Sequence, residues 1–181
     1  MNFSGSFAAL ITPFKNGAVD EAAYRRLVRW QLRSGTAGLV PCGSTGEAAT
    51  LSREEKRGLV RIAKEEAAGR TPVVCGVGTN DTARTVDACR DAQAWGADAL
   101  LLLVPYYNKP PQEGLFRHFR EAANSVRLPI IVYNIPGRTG VNLLPATLAR
   151  LAKACPNIRA VKEAAGSLDQ VSEILELCPP G

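Results

Sequence analysis

The chain has 181 residues, of which 46% are hydrophobic and 22% are charged, and this composition is typical of a soluble globular protein with one substantial core. No apolar run approaches about 18 residues, and the first residues lack a basic region followed by an apolar core, so the sequence predicts neither a membrane span nor a secretory signal. The net charge of +5 does not favour a nucleic-acid partner, because four arginines share one helical segment and the other basic residues alternate with Asp and Glu.

The sequence predicts six βα pairs in chain order. Strands are predicted at 7–11, 38–42, 72–77, 99–104, 129–133 and 158–162, and helices at 20–34, 52–68, 80–95, 110–126, 144–154 and 167–177. Ser52 and Glu55 form a capping box at the start of the second helix. The fourth strand contains four leucines in a row without alternation, as expected where both faces of a strand are buried.

This alternation, without hairpin signals or linkers, predicts a parallel sheet. A doubly wound sheet is disfavoured because no glycine-rich dinucleotide fingerprint follows the first strand. Polar residues at several strand ends favour a TIM (β/α)8 barrel, although a complete barrel needs eight units and about 250 residues. We therefore predict a single α/β barrel domain over residues 1–181, truncated to about six βα units, with the last two units and the C-terminal helices missing.

The first half of the stretch 157–166 is predicted to be a short buried strand that ends at Lys162. Burial at a strand tip disfavours the charged ammonium, and the neutral amine is the form that attacks a carbonyl carbon. A lone lysine at a strand end more often extends to solvent, so the interpretation depends on the polar residues at the other strand ends.

Residues 43–47 (Gly-Ser-Thr-Gly-Glu) follow the second predicted strand. Consecutive backbone N–H groups and the hydroxyls of Ser44 and Thr45 at such a turn suit a carboxylate ligand or proton transfer. The structural alternative is a turn that glycine permits and hydroxyls cap.

The segment 133–140 places Tyr133 at a strand end and Arg138 in a glycine-rich loop, where a guanidinium can bind a carboxylate with two parallel hydrogen bonds. The alternative for Arg138 is a solvated loop side chain.

Three further features bear on the chemistry. The pair Tyr106 and Tyr107 ends the leucine strand, and paired tyrosines more often pack at interfaces than take part in chemistry. His118, the only histidine, lies in a helix beside two phenylalanines and is predicted to be a surface or packing residue. The five cysteines are scattered without metal-ligand spacing, which is typical of a reducing compartment, so we expect a cytoplasmic protein without a metal centre.

Four motifs in order, GSTGE, YYNKP, YNIPGRTG and VKEAAG, resemble those of the dihydrodipicolinate synthase (4-hydroxy-tetrahydrodipicolinate synthase) family of class I aldolase-type barrels. GSTGE alone is shared with N-acetylneuraminate lyases and related pyruvate aldolases. The pairing of YYNKP with GRTG distinguishes the synthase family. The resemblance runs from about Phe7 to the end of the chain.

The resemblance implies roles for individual residues. Lys162 forms an imine with pyruvate, and Tyr133 shuttles protons together with the Ser44 hydroxyl and Tyr107, the last of which reaches across a tight dimer interface. The turn that contains Gly43 and Thr45 is implied to bind the pyruvate carboxylate, and Arg138 to hold the carboxylate of aspartate semialdehyde. Many family members have threonine where this chain has Ser44, so the hydroxyl is kept in a less constrained rotamer.

The expected function is therefore the condensation of pyruvate with L-aspartate 4-semialdehyde in lysine biosynthesis, without an external cofactor or a metal, by a homodimer or homotetramer. One alternative is an N-acetylneuraminate lyase or another 2-oxo acid aldolase that uses the same imine. The presence of Arg138 disfavours it, since a sugar-acid substrate has no use for arginine there. The alternative from another class is an inactive barrel fragment that needs a partner.

Overall fold

The computed structural model describes residues 3–179, which form two compact units. The first unit comprises Met1–Val77 and Asp91–Leu101, and the second comprises Gly78–Arg90 and Leu102–Gly181. Each unit has its own buried core. In the first, Leu39 and Ile62 are fully buried, and in the second Leu102 and Ile130 are fully buried.

The strands are β1 (Phe7–Ala9), β2 (Phe14–Lys15), β3 (Ala18–Val19), β4 (Gly38–Val40), β5 (Val74–Val77), β6 (Ala99–Leu103), β7 (Ile130–Asn134) and β8 (Ile158–Glu163). The helices are α1 (Glu21–Arg33), α2 (Arg53–Ala67), α3 (Thr82–Ala94), α4 (Gln112–Asn124), α5 (Pro136–Thr139), α6 (Pro145–Ala154) and α7 (Leu168–Leu177). All predicted strands and helices are present, with ends that differ by at most about two residues, within the usual uncertainty of element boundaries. None of the helices described is long and apolar enough to span a membrane.

In the first unit, β1 pairs in parallel with β4, and Leu39 of β4 forms an isolated parallel bridge with Val73, the residue before β5. Gly38 is required by packing, because a Cβ there would collide with the ring of Phe7, its partner across the ladder. The predicted burial of both strand faces is confirmed for β6, whose first four residues are all buried.

Helices α1 and α2 pack against each other and begin at side-chain caps. The Asp20 carboxylate accepts a hydrogen bond from the backbone of Ala23, and the predicted capping box of Ser52 and Glu55 is present in full. Arg25 and Arg29 of α1 pair with Glu66 of α2, and Arg25 also pairs with Glu65. Two of the four arginines in this segment are thus matched by carboxylates.

The prediction that the chain lacks hairpins is wrong. Strands β2 and β3 form a short antiparallel hairpin whose turn is Asn16-Gly17, with positive φ angles of 53° and 80°. Asn-Gly is the strongest short signal for such a turn, because both central residues adopt left-handed conformations. The flanking strands have only two residues each, too few to show an alternating pattern.

In the second unit, the end of β6 lies beside β7, since Val104 donates a backbone hydrogen bond of 3.0 Å to Tyr133. Strand β7 pairs in parallel with β8, α4 packs against α6, and α6 packs against α7. Residues predicted as a loop after β7 instead form the short helix α5. Pro136 stands in its first turn, and Gly140 ends it with a φ of 73°, the left-handed angle that favours glycine.

His118 is a buried packing residue, with 5% of its surface exposed. Its ring meets Phe119 edge-on at 5.6 Å, and its Nδ1 lies 2.9 Å from the Thr82 hydroxyl, while Nε2 has no hydrogen-bond partner among residues 3–179. Burial lowers the pKa of His118 from 6.5 to about 4, against a smaller raising effect of the Asp81 carboxylate. The imidazole is therefore neutral in the folded protein at neutral pH.

This histidine should make stability depend on pH. Between pH 6.5 and about 4 the unfolded chain binds a proton that the folded protein does not, so the free energy of unfolding falls as the pH falls through this window. Between pH 7 and pH 5 we expect the free energy of unfolding of the unmodified protein to fall by about 2 kcal/mol more than that of the His118→Gln variant. Urea unfolding at both pH values measures this difference. An equal decrease in the free energy of unfolding of the two proteins would contradict the claim that burial holds His118 neutral.

Candidate active site

Tyr133 and Lys162 face each other at the ends of β7 and β8. They are register partners in the parallel ladder, and the Lys162 Nζ lies 4.3 Å from the centre of the Tyr133 ring. The tyrosine is buried, with 6% of its surface exposed. The two side chains that sequence analysis assigned to imine formation and proton transfer are therefore in contact.

The prediction that Lys162 ends a buried strand is wrong for the residues described. Of the six residues of β8, only Ile158 is buried, and the Lys162 side chain is exposed. Among residues 3–179, β8 has a hydrogen-bonded neighbour strand on one side only, β7, so one edge remains open. The contact with the Tyr133 ring is the feature that distinguishes this lysine.

The YYNKP and GRTG motifs are joined to each other in the second unit. Tyr107 donates a backbone hydrogen bond of 3.2 Å to the carbonyl of Thr139. A Cβ on Gly140 would lie 2.9 Å from the Cε of Lys109, so the aliphatic part of that lysine rests on the glycine. Two motifs that lie about thirty residues apart in the sequence thus form one surface at the ends of neighbouring strands.

Tyr107 projects from a strained turn. Asn108 donates a backbone hydrogen bond of 2.9 Å to Tyr106, and the residue between them, Tyr107, has a φ of 73°. This is the rare γ-turn with a positive central φ, a conformation that persists only where the surroundings impose it. Tyr107 is 86% exposed, so its side chain extends away from the described residues around it.

Arg138 lies on α5 with its side chain exposed, and it forms no ion pair with any of residues 3–179. The helix is fixed beneath it by Thr139, which is buried and donates a 3.0 Å hydrogen bond to the carbonyl of Ile135. Arg138 is therefore a guanidinium held on a fixed backbone with its donors available, which is the arrangement that recognises a carboxylate.

The GSTGE turn belongs to the first unit. Thr12 donates a 2.7 Å hydrogen bond to the Gly46 carbonyl, and a Cβ on Gly46 would lie 2.9 Å from the Leu10 carbonyl oxygen, so this position is closely packed. Ser44 and Thr45 are exposed, and their hydroxyls have no partner in the part of the chain that is described. The backbone N–H groups of Gly46 and Glu47 donate to the carbonyls of Gly43 and Ser44. Contrary to the expectation for this turn, these two N–H groups are therefore not available to a ligand.

Comparison with known proteins decides the family. The model of the dihydrodipicolinate synthetase family matches residues 2–181. The chain belongs to this family. The 4-hydroxy-tetrahydrodipicolinate synthase of Nitratidesulfovibrio vulgaris (strain DP4) is 54% identical over 178 residues, covering 98% of this chain and 61% of that protein. The chain thus spans about three-fifths of the length of the curated relatives it matches.

Solved structures of the dihydrodipicolinate synthetase family agree with this assignment. Dihydrodipicolinate synthase from Aquifex aeolicus has a TM-score of 0.95 at 45% identity, covering 98% of this chain and 60% of that chain. The chloride-inhibited enzyme from Acinetobacter baumannii, complexed with pyruvate, has a TM-score of 0.93 at 42% identity, covering 97% of this chain and 60% of that chain. The predicted family and the predicted fold class, a TIM barrel represented by part of its βα units, are confirmed. The single-domain assignment stays a prediction.

Sequence analysis missed a polar cluster beside this family's lysine motif. It consists of Asn134, Asn142, Glu163 and Gln170, whose side chains are linked by hydrogen bonds of 2.7–3.1 Å. Asn134 is completely buried. The sequence signal for this cluster was the position of Asn134 and Glu163, each of which directly follows a predicted site residue at a strand end.

Proposed function

We propose that the protein is a 4-hydroxy-tetrahydrodipicolinate synthase that condenses pyruvate with L-aspartate 4-semialdehyde in lysine (diaminopimelate) biosynthesis. The observation that carries the proposal is the contact of the Lys162 amine with the Tyr133 ring, at 4.3 Å, within the motifs of the synthetase family. The names of close relatives support the same assignment. The proposed enzyme is a lyase of the Schiff-base aldolase type and needs no cofactor.

The reaction begins at the Lys162 amine. Its Nζ attacks the ketone carbon of pyruvate, and loss of one water gives an imine, which withdraws electrons so that a methyl proton is lost and an enamine forms. The enamine carbon bonds to the aldehyde carbon of the semialdehyde, whose oxygen takes up a proton. The amino group of the semialdehyde then attacks the imine carbon, closes the ring and expels Lys162. One water is released overall.

Tyr133 is proposed as the proton carrier for these steps. Its ring is fixed in the core of the second unit beside Nζ, which suits a phenol that takes protons from one intermediate and returns them to the next. Ser44 and Tyr107 complete the relay in this proposal, on the basis of their positions in the family motifs. The free hydroxyl of Ser44 and the outward Tyr107 side chain agree with these roles.

Substrate carboxylates are assigned to two places. Gly43 and Thr45 are proposed to bind the pyruvate carboxylate through a backbone N–H and a hydroxyl, and Arg138 is proposed to bind the carboxylate of the semialdehyde. Arg138 has five donors and no ion-pair partner among residues 3–179, so it can pair with a carboxylate without first breaking a contact. This also favours the synthase over a lyase for sugar acids.

Mass spectrometry of the products tests the proposed function. The protein is incubated with both substrates, with each substrate alone and with N-acetylneuraminate. The expected result is a cyclic condensation product that needs both pyruvate and the semialdehyde. Release of pyruvate from N-acetylneuraminate without that product would instead identify a lyase, and no turnover of any substrate would favour an inactive fragment.

A homodimer is part of the proposal because the resemblance implies that Tyr107 reaches across a dimer interface, and a homotetramer is proposed from the family resemblance alone. Tyr107→Ala should raise the dimer dissociation constant by about 30-fold, equivalent to about 2 kcal/mol for a buried aromatic anchor. Sedimentation at several concentrations measures it. Trp30→Ala, which removes another exposed aromatic side chain, is the matched control. Equal dissociation constants for Tyr107→Ala and the unmodified protein would remove Tyr107 from the interface.

A further inference from the structure

We infer that Glu163 is a positioning residue for imine formation. Its carboxylate joins the ends of β7 and β8 and thereby holds the Lys162 amine against the Tyr133 ring. This inference rests on the proposed function, because it concerns the same lysine and the same tyrosine. It assigns a task to a carboxylate that neither binds substrate nor exchanges protons in the proposed reaction.

The Glu163 carboxylate is surrounded by hydrogen-bond donors. The side-chain amide of Asn134 lies 3.1 and 3.0 Å from its two oxygens, the amide of Gln170 lies 2.9 Å from one of them, and the backbone N–H of Ala165 lies 2.6 Å from the other. None of these contacts comes from a cation. An ionised carboxylate accepts all of them, whereas a neutral amide in its place would direct an N–H group at another donor.

Asn142 fixes which way these amides face. Its Oδ1 accepts hydrogen bonds from Asn134 at 2.7 Å and from Gln170 at 3.1 Å, and its Nδ2 donates to Gln170 at 2.8 Å. The Oδ1 of Asn134 in turn accepts from the backbone of Leu143 at 3.0 Å. Each amide therefore has one orientation that satisfies all its neighbours, and that orientation points donors at Glu163.

The position of this cluster in the ladder connects it to the site. Asn134 and Glu163 are register partners, one step beyond the pair Tyr133 and Lys162. Successive side chains of a strand point to opposite faces, so the cluster lies on the face away from Lys162 and acts through the backbone. The backbone N–H of Ala164 also donates to the Asn134 carbonyl at 2.9 Å, which closes the ladder at this end.

The register needs this support because the ladder is irregular where it begins. Ile130 pairs with Ile158, but Ile131 pairs with Ala160, so Arg159 is an extra residue in β8. The start of the ladder therefore does not dictate the alignment at its end. A slip of one residue would turn Lys162 to the other face of the sheet, away from Tyr133. The pairing of Asn134 with Glu163 opposes that slip.

The test compares three variants with the unmodified protein: Glu163→Gln, Asn134→Asp, and the swap that combines both. Glu163→Gln loses an acceptor, and Asn134→Asp sets a second carboxylate against the first. In the swap, an aspartate at 134 accepts from a glutamine at 163, and the amides of Asn142 and Gln170 re-pair by rotating half a turn. Glu121→Gln, the same change at an exposed position with no hydrogen bond described, is the control.

The measured quantity is the rate constant for borohydride-trappable imine at Lys162, at saturating and at half-saturating pyruvate, together with the melting temperature. Misplacement of reacting groups by about 1 Å costs up to about a hundredfold in rate, so each single variant should lose roughly 10- to 100-fold at saturating pyruvate. The half-saturating pyruvate concentration should change little. The swap should recover most of the rate, and Glu121→Gln should match the unmodified protein.

A role confined to stability predicts a different pattern. Single variants would then melt at lower temperature but form imine at the unmodified rate when folded, and this result would overturn the inference while leaving the proposed function intact. The inference would also be overturned if the swap formed imine at Lys162 as slowly as the single variants. If the unmodified protein forms no imine at Lys162, the proposed function itself is wrong and the inference falls with it.

Discussion

Lys162→Arg should abolish the condensation of pyruvate with aspartate semialdehyde, lowering turnover by about a thousandfold or more, as expected when a covalent nucleophile is removed. Arginine keeps the positive charge beside the Tyr133 ring, but its guanidinium stays protonated and cannot attack a ketone. The substitution therefore separates the need for a nucleophilic amine from the need for a cation at this place. Steady-state rates with both substrates measure the effect.

Lys153→Arg is the matched control for this change. Lys153 is also exposed, lies outside the site and forms no ion pair with any described residue, so its replacement should leave turnover unchanged. Turnover of Lys162→Arg within a few fold of the control would show that no imine with Lys162 is needed. The Tyr133 contact would then be a packing interaction between an exposed lysine and a buried ring.

Arg138→Ala should reduce the use of aspartate semialdehyde far more than the formation of imine with pyruvate. A hydrogen bond to a charged group contributes about 1.5–3 kcal/mol, so kcat/KM for the semialdehyde should fall by roughly one to two decades. The rate of imine formation at Lys162 should not change, because Arg138 is assigned to the second substrate. The two quantities are measured by steady-state kinetics and by borohydride trapping.

Arg57→Ala is the control for Arg138→Ala. Arg57 is an exposed helix residue without an ion pair in the described part of the chain, so its removal tests the general effect of losing one positive charge. If Arg138→Ala slowed imine formation with pyruvate as much as it lowered kcat/KM for the semialdehyde, the Arg138 side chain would stabilise α5 rather than bind the substrate. The main argument against a sugar-acid lyase would then be lost.

Local signals in the sequence predicted most of the fold. Asp20 and the pair Ser52 and Glu55 marked helix starts correctly, because capping depends on residues a few positions apart. The leucine run of β6 marked a strand buried on both faces. The hairpin at Asn16-Gly17 also carried a local signal, but its strands of two residues were too short for a periodic pattern.

The environment of Lys162 could not be derived from its own stretch. Burial of a strand depends on what lies beside it, and β8 has β7 alone as a neighbour among residues 3–179. The Glu163 cluster was missed for a similar reason. Asn142 and Gln170 lie in segments without a motif, and only the fold brings them to the end of β8. The positions of the motif residues were predictable, whereas their partners were not.

Trapping with pyruvate and borohydride, followed by peptide mapping, tests the central claim most directly. Borohydride reduces an imine to a stable secondary amine, so the modified residue is identified by mass. The proposed mechanism predicts a reduced pyruvyl group on the peptide that contains Lys162, formed only with pyruvate and absent from Lys162→Arg. Labelling of a different lysine, or equal labelling of Lys162→Arg, would contradict it.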